Sequence, residues 1–199
     1  MSVDSHYFEG LFARDQDPWA FRRRWYEQRK RAITLASLPR RHYRSIFEPG
    51  CANGELSAEL ATRCDSLLCC DTAQTAVSLA RQRLRSMPQA RVECARLPED
   101  WPDGPFELIV ISELGYYLDP GDLARLVTRA LDSLAADGQL LACHWRPPIA
   151  GCPLEGGQVH AMLHRQLQLP RLLEHQDADF LLDLWGRDAD SVATLEGLR

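Results

Sequence analysis

Glu48-Pro49-Gly50-Cys51-Ala52-Asn53-Gly54 follows directly on an apolar run, Tyr43-Arg44-Ser45-Ile46-Phe47, and leads into a stretch of helical spacing. Small residues at 50, 52 and 54 let the backbone turn sharply and approach a ligand closely. The free N–H groups of the helix that follows favour a carboxylate or phosphate. A dinucleotide fingerprint would read G-x-G-x-x-G. Here Ala52 replaces the second glycine, and Glu55 stands where the third belongs. The spacing runs instead in steps of two from Glu48. A carboxylate at the strand end repels a pyrophosphate but suits an ammonium group.

Outward from this turn, strands and helices alternate. Strands are expected at 43–48, 66–71, 90–95, 106–112 and 139–145, with helices at about 53–63, 73–86 and 120–135 between them. Asp137-Gly138 reads as a turn before the last of these strands. Apolar strands separated by helices imply a mostly parallel sheet covered on both faces. Residues 146–157 carry PP, CP and GG and read as loop, and GGQVHAMLHRQLQL as a helix. RLLEHQ and FLLDLW are too close for a crossover, so they form an antiparallel hairpin turning at 177–179. Before the alternation, residues 1–17 read as a polar, mobile arm. A helix over about 18–38 follows, with Asp17 as N-cap and Pro18 in its first turn. Its apolar face is Phe21, Trp25, Ala32, Ile33 and Ala36. We therefore expect one domain in three parts: arm and lid helix (1–38), core (43–145), and C-terminal helix and hairpin (146–199).

The 199 residues are 45% apolar and 26% charged, the balance of an ordinary globular protein. No run reaches the roughly 20 apolar residues of a membrane span, and the N-terminus lacks a secretory pattern. Seven cysteines, an odd number without any C-x-x-C, suggest neither a disulfide framework nor zinc. These features point to the cytoplasm. Net charge is −5, yet residues 22–44 hold nine Lys or Arg against one acidic residue, Glu27. An acidic body argues against nucleic acid, as does the lack of an N/D-P-P-Y-type tetrapeptide after the 106–112 strand.

Three further signals lie at strand ends. Asp71 could accept both hydroxyls of a ribose, or cap a helix with Thr72. Arg96-Leu97-Pro98-Glu99-Asp100-Trp101-Pro102 follows the third strand, and Ser112-Glu113-Leu114-Gly115-Tyr116-Tyr117 the fourth. Ligands bind outside the carboxyl ends of strands in such sheets, so Ser112 and Glu113 should face one.

The 48–54 turn resembles the E/D-x-G-x-G-x-G motif of class I S-adenosylmethionine-dependent methyltransferases, with Ala52 for the middle glycine. The resemblance implies a Rossmann-like seven-stranded sheet with S-adenosyl-L-methionine as cofactor. It implies that Glu48, with the backbone of Gly50, Cys51, Ala52 and Gly54, receives the amino acid end. Asp71 and Thr72 would hold the ribose, and the loop at Arg96 and Leu97 the adenine. Arg96 stands where that loop often has an acidic residue, so backbone groups are the safer adenine contacts. DPW (17–19), WYEQRKRAITLA (25–36), HWRPPI (144–149) and WGRD further resemble the nodulation protein S type. That family's founding activity is N-methylation of an amino sugar in a chitooligosaccharide. Its N-terminal helix folds over the cofactor, which implies that Trp19, Tyr26 and Arg29 line the site.

Methyl transfer from a sulfonium is an in-line displacement, for which alignment alone can supply about 7–11 kcal/mol. A base is needed only if the acceptor binds protonated; Glu113, Tyr117 and His144 are the candidates. His160 and His164 are four apart but lack an acidic or Cys partner at ligand spacing, so no metal is expected. Three readings stay open: a small-molecule N-methyltransferase, an O-methyltransferase, and a cofactor-binding protein without turnover. The oligomeric state is not legible.

Overall fold

The computed structural model describes residues 1–199. The chain runs α1 (Ser5–Arg14), α2 (Trp25–Ala36), β1 (Tyr43–Pro49), α3 (Glu55–Ala61), β2 (Cys64–Asp71), α4 (Gln74–Arg83), β3 (Ala90–Cys94) and β4 (Phe106–Ser112). After a 3₁₀ turn at Gly115–Tyr117 come α5 (Pro120–Ser133), β5 (Leu134–Trp145), α6 (Gly156–Leu167), β6 (Arg171–Gln176), β7 (Phe180–Gly186) and α7 (Val192–Leu195). The seven strands form one sheet in the order β3-β2-β1-β4-β5-β7-β6. The first five are parallel, whereas β7 runs antiparallel to both β5 and β6. This is the expected mostly parallel sheet with its C-terminal hairpin. No helix is long and apolar enough to cross a membrane.

The central strands are apolar on both faces because helices cover both: β4 is buried from Phe106 to Ile111. α5 shows how sequence sets an element. Pro120 fits its first turn, and the Asp119 carboxylate accepts from the Gly121 and Asp122 N–H groups. Leu123, Leu126, Val127 and Ala130 then recur on the face packed against the sheet. Full burial of each leucine or valine contributes about 1.5–3 kcal/mol. Strand order reverses between β1 and β4, which opens a crevice at the carboxyl edge of the sheet.

Four expectations are corrected. Residues 1–17 hold a helix: Asp4 caps α1, and Phe12 packs on Ala73, Ala76 and Leu79. The Thr75 N–H and hydroxyl donate to Glu9, and Val3 N donates to Tyr117 O at 2.8 Å. The helix foreseen from 18 starts only at Trp25. Asp17 instead caps a separate turn, accepting from Phe21 N and Arg22 N, and Ala20 at φ +59° breaks the helical path. Trp25 does not dock, being 73% exposed; the buried residues of α2 are Glu27, Lys30 and Thr34. Finally, Asp137-Gly138 lies within β5 as a bulge, because the register with β4 jumps from Leu134 to Gln139. A Cβ at Gly138 would come within 2.6 Å of Leu134 Cγ, so the bulge closes only on glycine.

Candidate active site

The crevice beyond β1 and β4 widens into a cavity of about 700 Å³, within the usual range for small-molecule sites. Three regions wall it: the 48–53 turn with Asp71 and Thr72, the loops at Ala95–Leu97 and Ser112–Tyr117, and the N-terminal elements α1 and α2.

At the first wall Gly50 has φ +75° and Ala52 φ +50°, so the chain folds back across the strand end. Gly50 N and Cys51 N both donate to Cys70 O, which ties the turn to β2. Asp71 bridges the same junction: Oδ2 accepts from Ala52 N and Oδ1 from Ala73 N, each at 2.9 Å. Burial pushes the Asp71 carboxyl up despite these donors. Glu48 is buried at 3% exposure, and its Oε2 has no hydrogen-bond partner. Burial raises its pKa to about 8. A carboxylate buried without a counter-charge is costly, and it stands in the wall of a cavity that could bring one. Asn53 Nδ2 donates to Asp17 Oδ1 at 3.1 Å, which joins this turn to the N-terminal segment.

At the second wall, Arg96, Leu97 and Ser112 all line the cavity. The Arg96 N–H, foreseen as a ligand donor, is engaged by Asp100 Oδ2 at 2.9 Å. Glu113 adopts φ +56°, a left-handed conformation uncommon for a non-glycine residue. Both its oxygens are committed. Oε1 accepts from Lys30 Nζ at 2.7 Å, while Oε2 accepts from the Tyr116 hydroxyl and from Trp145 N at 3.1 Å. Tyr117 lines the cavity edge-on to Phe8, 4.9 Å between centroids, and burial raises its pKa beyond the usual phenol range.

Three foreseen site residues lie elsewhere. Gly54 is outside the wall; a Cβ there would meet Ala80 Cα at 3.1 Å, so its small size serves the packing of α3 on α4. Arg29 turns away to Asp177 at 2.7 Å, its guanidinium over the Phe180 ring. His144 is fully buried behind the wall, and burial holds it well below the usual imidazole pKa. It is not placed to exchange protons with a ligand. Trp19 and Tyr26 do line the cavity.

Sequence reasoning missed Lys30 and α1. Phe8, Leu11 and Phe12 at helical spacing after Asp4 would have signalled α1. Lys30 was hidden in a run of basic residues, most of which meet acidic partners on the body: Arg22 with Glu55, Arg40 with Asp137, Arg44 with Glu107.

A family model described as Nodulation protein S (NodS) matches residues 9–153. The chain belongs to the nodulation protein S family. Nodulation protein S of Rhizobium tropici is 30% identical over 129 residues, which span 63% of this chain and 53% of that protein. That of Sinorhizobium fredii is 29% identical over 122 residues, 61% and 56%. The chain thus spans about half the length of the curated relatives it matches. A Pseudomonas syringae protein crystallised as a candidate methyltransferase is 63% identical, covering 82% of this chain and all of that one, with a TM-score of 0.75. The N-methyltransferase NodS of Bradyrhizobium japonicum WM9, solved with S-adenosyl-L-homocysteine, has a TM-score of 0.81 at 23% identity, covering 92% and 97%. The fold is that of the class I methyltransferases.

Proposed function

We propose that this protein is an S-adenosylmethionine-dependent methyltransferase acting on the nitrogen of a small amine, with an amino sugar as the favoured class. The observation that carries the reading is the unpartnered Glu48 Oε2, buried at the carboxyl end of β1 in the wall of the cavity. The residues present fit the cofactor. Glu48 offers a carboxylate to its ammonium group, and Asp71 stands one strand over, where a ribose diol would fall. Ala95 and Leu97 give an apolar edge for adenine, and Trp19 and Phe12 close the near side. The family membership and the N-methyltransferase activity of the Bradyrhizobium japonicum relative support the nitrogen acceptor.

When bound, the cofactor would supply an electrophilic methyl group on a sulfonium for a neutral acceptor nitrogen. The protein's part is alignment and exclusion of water. α1 and α2 cover the crevice, and Ser2 and Val3 fasten the segment before α1 to Asp122 and Tyr117. Dry alignment is the effect expected to dominate for such a displacement. We place the protein in the cytoplasm, a reading supported by seven free thiols.

The test is calorimetry with S-adenosylmethionine, S-adenosylhomocysteine and NAD. Micromolar binding of the first two, without NAD, is expected. It is followed by a methyl-transfer screen over amino sugars and other amines. Binding of NAD in preference to both would overturn the reading.

A further inference from the structure

Glu27 is the single acidic residue among the nine basic ones between 22 and 44, and it points inward. It is 7% exposed and lies in the cavity wall with Tyr26, Lys30, Glu113 and Trp145. Its Oε2 is 3.0 Å from Lys30 Nζ, and its Oε1 makes no hydrogen bond.

The local charge balance is unequal. Lys30 Nζ is shared between two carboxylates, Glu27 at 3.0 Å and Glu113 at 2.7 Å. Glu113 has further donors in Tyr116 and Trp145 N, so each of its oxygens already has a partner. With both carboxyls ionised the three side chains together carry one net negative charge, offset in part by Arg31. The other cation of α2 near Glu27 is Arg31, whose guanidinium donates to Phe21 O at 2.9 Å. Burial, the largest influence, pushes the Glu27 carboxyl up, while Lys30 pulls the other way. A buried carboxylate with a free oxygen is completed by a cationic donor. Beside it, the Tyr26 and Trp145 rings meet edge to face at 5.3 Å, and Lys30 Nζ already lies 5.0 Å from the Tyr26 centroid, so this aromatic wall accommodates a cation.

We propose that Glu27 is the anchor for the methyl acceptor: its Oε1 binds a primary amine as the ammonium ion and takes one proton from it, which frees the nitrogen lone pair that receives the methyl group as the bond to sulfur breaks, and Glu113 does not fill this role. The site accordingly takes amines and rejects carboxylates and uncharged N-acyl derivatives of the same size. This rests on the reading that the cavity holds S-adenosylmethionine, and it goes beyond that reading by naming the residue that selects the acceptor's charge.

The probe is sinefungin, in which a carbon bearing a primary amine replaces the methylsulfonium and carries an ammonium toward the acceptor. Calorimetry compares it with S-adenosylhomocysteine, which lacks that group, on the unmodified chain and on Glu27→Gln. The S-adenosylhomocysteine affinity of the variant should stay within about twofold, while sinefungin weakens at least about tenfold, the loss for a hydrogen bond to a charged group. An unchanged ratio of the two affinities in Glu27→Gln overturns the proposal. Glu27→Asp, which keeps a carboxylate for Lys30 but retracts it, is run beside it. Parallel loss of both ligands in both variants also overturns the proposal, since Glu27 would then hold the fold and not the amine. If the unmodified chain binds neither ligand, the cofactor reading itself fails, and this one with it.

Discussion

The backbone N–H of Gly115 donates to Nε2 of His144 across 3.0 Å, entirely inside the protein. An N–H can only donate, so Nε2 carries no proton and His144 is protonated on Nδ1. Nδ1 is 3.1 Å from His160 Nε2, and His160 Nδ1 is 2.6 Å from Asp183 Oδ2. The polarity therefore runs one way, from Gly115 through the two imidazoles to a buried carboxylate. It fixes the start of the 3₁₀ turn that carries Tyr116 and Tyr117.

His144→Gln should accordingly act on stability before chemistry. A buried N–H left with a poorer acceptor costs about 1–3 kcal/mol, to be read from urea unfolding. The pH dependence has a definite sign. Because the folded-state pKa of His144 is depressed, its contribution is present above about 6.5 and is lost as pH falls through that value toward the folded one. The variant should lose part of this acid sensitivity. A variant as stable as the parent at neutral pH would count against the chain.

Glu48 gives the opposite slope. Its folded-state pKa is raised from 4.5 to about 8 by burial, so its stabilising contribution is full below 4.5 and lost as pH rises through 8. Melting temperature should fall across that interval, and Glu48→Gln should flatten the fall. An ammonium ligand reverses the preference, so S-adenosylhomocysteine binding near neutrality should release close to one proton, measurable by calorimetry in buffers of different ionisation heat. The release should vanish in Glu48→Gln.

Gly50 and Gly54 separate ligand space from packing. Gly54→Ala places a Cβ 3.1 Å from Ala80 Cα at φ +80°. The expected cost is about 1–3 kcal/mol of stability, with cofactor affinity nearly kept. In Gly50→Ala the nearest atom is the adjustable Leu114 Cδ1, at 3.3 Å, beside the cavity. Its larger loss should be in cofactor affinity. Calorimetry and thermal unfolding on both variants decide this, and an identical pattern would refute the division.

Lys30→Met leaves Glu27 and Glu113 facing each other without their shared cation. Breaking a buried pair from one side costs about 3–5 kcal/mol. Adding Glu113→Gln should restore part of it, so the two changes combined should be less harmful than their sum, as a double-mutant cycle in urea will show.

Much of this protein was legible because its signals are local. Strand runs, the small-residue turn at 48–54, Asp71 at a strand end and the closely spaced hairpin each depend on neighbours in sequence, and the parallel sense of the first five strands follows from the alternation of apolar strands and helices; their order in the sheet does not. Side-chain direction depends on what lies across the fold. Glu48 and Gly54 belong to one motif, yet Glu48 faces the cavity and Gly54 faces Ala80. His144 ends a strand at the active edge, but Asp183 and His160, from β7 and α6, make it an interior link. On α2, the apolar periodicity suggested Trp25 as an anchor, whereas the buried stripe is Glu27, Lys30 and Thr34. Sequence periodicity assumes that the buried face is apolar. Only the tertiary structure, by bringing Glu113 from the end of β4 to within 2.7 Å of Lys30, supplies the opposite charge that lets a polar face turn inward.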